Sequence, residues 1–99
     1  MMRIKIDVTQ DDIDLGIVSN DRCPIARSLR RKIGVYPGEP FPHVWVSGNG
    51  DYVSVEKGEF FMRYDLPRSA CKFIKAFDRG TRPRPFSFFL IGDTPLPSQ

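Results

Sequence analysis

From Arg3 to Val8 the chain alternates charged and apolar residues, with Ile4, Ile6 and Val8 on one side and Arg3, Lys5 and Asp7 on the other. A period of two sends successive side chains to opposite faces of an extended segment, so this stretch predicts a half-buried β-strand. Thr9 precedes Asp12 by three residues, the spacing of a capping box, and Asp11 and Asp12 suit the positive end of a helix. Gly16 follows so soon that at most one helical turn is expected there.

Past a polar loop the period lengthens. Pro24 fits the first position of a helix, where its missing N–H is no loss, and Gly34 fits the stop. At about 100° per residue, Ile25, Ala26, Leu29 and Ile33 share one face while Arg27, Arg30 and Arg31 point away from it. A second helix opens at Asp65-Leu66-Pro67 and closes at Gly80, burying Ala70, Phe73, Ile74 and Phe77. Opposite them, Arg68, Lys72, Lys75 and Arg79 fall within a stripe about 60° wide.

Between these helices, Pro37, Gly38, Pro40 and Pro42 enforce an extended loop. The β-rich runs 43–47 and 52–55 flank Gly48-Asn49-Gly50-Asp51, and an Asn-Gly pair in that setting is a strong hairpin signal. A turn at Glu56–Glu59 leads into a third meander strand ending at Tyr64. After the stiff Thr81–Pro85 linker, Phe86 to Ile91 is apolar on both faces, the pattern of a covered or central strand. The segment from Gly92 to Gln99 is expected to fray. With no internal repeat, the pattern predicts one α+β domain over residues 1–99. Its core is a single, mostly antiparallel sheet of four or five strands with two amphipathic helices on one face.

Composition supports this. Hydrophobic residues make up 40% of the chain, which excludes the low-hydrophobicity class of disordered proteins. Trp45 and the phenylalanines are assigned mostly to the core. Cys23 and Cys71 do not make a disulfide framework, and the opening Met1–Lys5 segment lacks the apolar run of a signal peptide, so a cytoplasmic location is expected. The longest apolar stretch, Phe88–Ile91, falls far short of the roughly 20 residues that span a bilayer, so no membrane role is expected.

Several residues invite a chemical role. Cys23 stands just before Pro24, where a helix N-terminus with Arg22 and Arg27 nearby would favour a thiolate. His43 is the only histidine and the only candidate base, but spacing does not bring the two together. Packing of Cys23 at the loop-to-helix junction explains it as well, and an enzyme is not expected. Cys23, His43 and Cys71 lack the paired spacing of a zinc site. Asp11, Asp12 and Asp14 lack the glycine and terminal glutamate of a calcium loop. No metal or other cofactor is expected. Gly48-Asn49-Gly50 leads into no helix, so it is a turn and not a phosphate cradle.

Four segments together form a pattern: Asp12-Ile13-Asp14-Leu15-Gly16, Cys23-Pro24-Ile25-Ala26 entering an arginine-rich helix, Phe77-Asp78-Arg79-Gly80, and Pro85-Phe86-Ser87-Phe88. Over most of its length the chain resembles a group of small uncharacterised proteins encoded by bacteriophages and prophages. The resemblance implies a phage or mobile-element origin, and hence the cytoplasm of a bacterial host. It assigns no activity and no site residues.

Net charge is +3, but acids crowd the first fifth of the chain and bases the rest. Arg27, Arg30, Arg31, Arg68, Lys72, Lys75, Arg79, Arg82 and Arg84 form the candidate binding surface, on stripes that hold almost no acidic partners. Two functions fit it. The first is an accessory protein that uses this surface, the Pro-rich loop or a sheet edge to bind a host or phage protein, as in blocking or redirecting a host process; the second is a nucleic-acid binder that neutralises phosphates with its two basic helix faces. Whether those faces merge, and whether two copies pair as a homodimer, depends on tertiary geometry.

Overall fold

The computed structural model of the chain describes residues 2–97. In chain order the elements are β1 (Met2–Val8), α1 (Gln10–Leu15), α2 (Pro24–Ile33), β2 (His43–Val46), β3 (Tyr52–Lys57), β4 (Phe60–Asp65), α3 (Arg68–Asp78) and β5 (Phe86–Gly92). The strands form one antiparallel sheet in the order β1-β5-β4-β3-β2. This is the predicted α+β class.

One face of the sheet is covered. Ile6 and Val8 of β1, Val44 and Val46 of β2, Val53 and Val55 of β3, Tyr64 of β4, and Phe88 and Leu90 of β5 are buried with Ile25, Leu29 and Ile33 of α2 and Ala70, Phe73 and Ile74 of α3. Each strand contributes every second residue, as its pleat requires. Phe73 stacks on Phe86 at 4.7 Å between centroids, tying α3 to β5.

The N-terminal turn is longer than expected. Thr9 Oγ1 accepts from Asp12 N at 3.3 Å, Thr9 N donates to Asp12 Oδ2 at 2.9 Å, and the six-residue α1 ends where Gly16 N donates to Asp12 O. A complete capping box and an outside hold on Asp12, described below, sustain a helix that local sequence alone would not.

The β2–β3 hairpin is present, with a loop from Ser47 to Asp51. Ser47 Oγ accepts from the amides of Asp51 and Tyr52 at 2.9 and 3.1 Å. Gly50 sits at φ +78°, and a Cβ there would lie 3.1 Å from Cys71 Cα, so both backbone angle and the closeness of α3 demand glycine.

Two strand pairs carry most of the ladder. β1 and β5 match along their whole length, as do β3 and β4, but β4 meets β5 only at Asp65↔Ile91. The chain beyond β5 closes the seam. A Cβ at Gly92 would lie 2.6 Å from the Tyr64 ring, the Tyr64 hydroxyl donates to Pro95 O at 3.1 Å, and Leu96 is only 3% exposed. The expected fraying therefore does not occur up to Pro97, because Leu96 supplies an apolar anchor; Ser98 and Gln99 lie outside the described residues.

Candidate interaction face

The arginines of α2 stay outside the core but reach across to acceptors on neighbouring segments. Arg31 forks onto Asp12, with Nη1 to Oδ1 at 2.6 Å and Nη2 to Oδ2 at 2.8 Å, and Nη2 also donates to Asp7 O. Arg27 Nε lies 3.8 Å from Asp12 Oδ1, an ion pair without a hydrogen bond. Arg30 donates to the Asp21 carbonyl, and Arg82 Nη2 reaches Asp14 Oδ1 at 2.5 Å. Asp12 is fully buried. Burial alone would raise its pKa, but the hydrogen bonds from Arg31 and the Thr9 amide outweigh it and hold the carboxyl below its ordinary value.

This corrects the expectation that the basic stripes lack acidic partners. The acids come from α1, a different element, which a helical period cannot reveal. Arg68, Lys72, Lys75, Arg79 and Arg84 remain exposed, and none forms an ion pair among the described residues. Within the candidate surface, the cations whose side chains form no hydrogen bond or ion pair among the described residues thus lie on α3 and just after it.

The cysteine chemistry is not assembled. Cys23 is the N-cap of α2 and 5% exposed; burial pushes its thiol above the ordinary value, against the helix amides of Ala26 and Ile25 that favour the thiolate. His43 is exposed on the opposite side of the sheet from that core. Cys71 donates to Asn49 O at 3.1 Å. Among the described residues no three His, Cys, Asp or Glu side chains converge as metal ligands. No helix among them is long and apolar enough to cross a membrane.

The second face of the sheet carries no helix, and here the structure departs most from expectation. Trp45 is 44% exposed, Phe61 59% and Phe89 42%, and Phe41 just before β2 is also exposed. These rings do not belong to the core. Alternation was the missed signal: Trp45 lies between Val44 and Val46, and Phe89 between Phe88 and Leu90, so burying the neighbours exposes the residue between them. β5 is interior in the strand order, yet its second side is not covered.

Register arranges the outer residues in rows. Trp45, Ser54 and Arg63 lie side by side across β2, β3 and β4, with His43, Glu56 and Phe61 in the adjacent row. Tyr52 packs diagonally against Trp45 at 6.2 Å, and the Arg63 guanidinium covers Tyr52 at 4.2 Å. On the other strand pair, Arg3 covers Phe89 at 4.6 Å. Phe41, His43, Trp45, Ser54, Glu56 and Phe61 line a cleft of about 500 Å³, bounded across the β2 edge by Asp21, Arg22 and Arg30. The edge itself is partly occupied: Val46 N donates to Asn20 O at 2.8 Å and Asn20 Nδ2 donates to Val46 O at 2.7 Å.

Charge on this face is balanced, with Arg3, Lys5 and Arg63 against Asp7, Glu56 and Asp65. Protein interfaces are enriched in aromatic residues and arginine, whereas a phosphate-binding surface requires an excess of cations, which this face does not have. Comparison with protein-family models, with curated proteins and with solved structures finds no match to this chain.

Proposed function

We propose that the chain is a non-enzymatic binding protein, an accessory factor of the phage kind that engages a host or phage protein through the helix-free face of its sheet. The observation that carries this reading is the exposure of Trp45, Phe61 and Phe89 on three strands of one uncovered, charge-balanced face. Phe41, Trp45 and Phe61 gather around one cleft, and clustered apolar exposure is costly for a free chain in water and is retained where a partner covers it. Site-specific photo-crosslinking tests it. A benzophenone amino acid at Phe61 should give a discrete protein adduct in bacterial cells that make the chain, whereas the same group at Lys72 on α3 should not. An adduct from Lys72 alone would reverse the reading.

The stripe Arg68, Lys72, Lys75 and Arg79 favours a second function, nucleic-acid binding through α3. Four phosphate contacts would make log affinity fall against log salt with a slope of about −3 to −4. No binding to DNA or RNA at low salt would end that alternative.

A further inference from the structure

The cleft on the helix-free face joins aromatic walls to a carboxylate. Glu56 stands beside Phe61 on β4 and His43 on β2, with Trp45 diagonal to it. It is exposed, and among the described residues its carboxylate forms no ion pair. The cation nearest in register, Arg63, is turned to the Tyr52 ring instead.

That choice repeats on this face. Both Arg63 and Arg3 lie over rings, at 4.2 and 4.6 Å from the centroids of Tyr52 and Phe89. The rings of Trp45, Phe61 and Phe41 carry no such cation among the described residues. A ring face attracts a cation through its quadrupole, and a planar guanidinium can stack on it while presenting a hydrogen-bonding edge to a carboxylate. Lysine offers a point charge without the stacking plane.

The geometry points to a specific occupant: an arginine side chain of the partner protein, stacked on Trp45 and Phe61 with its guanidinium paired to Glu56. This deepens the protein-binding reading and rests on it. Asp21, Arg22 and Arg30 bound the cleft across the β2 edge, and Arg30 is anchored to the Asp21 carbonyl. The rim therefore carries one more cation than acid, so the Glu56 end of the cleft is the end that favours an incoming guanidinium.

Trp45 is the only tryptophan in the chain, so its fluorescence reports on the cleft directly. Acetylated, amidated Gly-Arg-Gly, Gly-Lys-Gly, Gly-Leu-Gly and Gly-Glu-Gly peptides are titrated into the full chain. The arginine peptide should bind saturably and most tightly. Glu56→Gln should weaken it about 5-fold and Phe61→Ala about as much, without changing the amide spectrum, since both side chains are exposed. Arg22→Ala, which removes a like charge, should tighten it about 2-fold. Leucine or glutamate peptides that bind as well as arginine, an unchanged affinity in Glu56→Gln, or no response to any peptide would each overturn the proposal. So would quenching of Trp45 by a thymidine octamer that Glu56→Gln strengthens. If the peptides fail while Trp45→Ser still releases the protein partner, the arginine assignment falls and the protein-binding reading stands. If the arginine peptide binds but outer-face substitutions leave the partner attached, that broader reading falls instead.

Discussion

On the helix-covered side of the sheet, the buried charges are answered from within the chain: Asp12 by Arg31 and Arg27, and Lys57 by Glu39 at 2.6 Å. On the helix-free side, rings stand in solvent and the Glu56 carboxylate has no ion pair. Arginine serves both sides in different ways. Facing a carboxylate of α1 it clamps the fold, and over an aromatic ring on the open face it leaves that ring's neighbours available. The contrast separates residues that hold the protein together from exposed residues that the described chain leaves without an ion pair or a covering cation.

The sharpest way to break this contrast uses adjacent residues of β5. Leu90 is fully buried and Phe89 is 42% exposed. Leu90→Ala should cost about 3 kcal/mol in urea unfolding, through lost burial and the cavity left behind. Phe89→Ser should cost less than about 1 kcal/mol. Equal losses would mean that the outer face is part of the core.

Asp12→Ala should cost about 2 kcal/mol, since it leaves Arg31 and the Thr9 amide without their acceptor; the half-exposed Arg31 keeps the figure below that of a fully buried pair. The folded-state pKa of Asp12 is lowered. Its contribution is therefore fully present above the unfolded value of about 3.9 and is lost as pH falls through the folded value. Unfolding curves of the wild type and Asp12→Asn should differ at pH 7 and converge in strong acid. A difference that grows on acidification would contradict the clamp.

Tyr64→Phe should cost about 1 kcal/mol and increase the mobility of the buried Leu96 methyl groups measured by NMR relaxation, because the hydroxyl bond to Pro95 pins the C-terminal segment. The smallest effect is expected on α3. Lys72→Glu with Lys75→Glu should leave protein-partner affinity unchanged and cost less than about 1 kcal/mol in unfolding, because neither lysine forms an ion pair within the described chain and only Lys75, in the last turn of α3, complements the helix dipole.

Elements governed by local pattern were legible in the sequence. The period of two in Arg3–Val8, Pro24 and Gly34 around α2, and the faces of α2 and α3 all match the structure. What local pattern cannot encode was missed. Arg31 meets Asp12 across 19 residues, and Leu96 docks near Tyr64, because the fold brings distant segments together. The candidate site was legible only in part. The α3 stripe is exposed as predicted, but the α2 arginines are largely occupied. The aromatic face was hidden by the general tendency of Trp and Phe to be buried, although the alternation around Trp45 already contained it.

The central claim is that the helix-free face, and not the basic helix, holds the partner. Its most direct test is the affinity of the protein crosslinked from Phe61, once purified, for two double variants, Trp45→Ser with Phe61→Ser and Lys72→Glu with Lys75→Glu. The account predicts a loss of at least about 100-fold for the first, the scale of two aromatic hot spots, and less than about 3-fold for the second. The opposite order would contradict it.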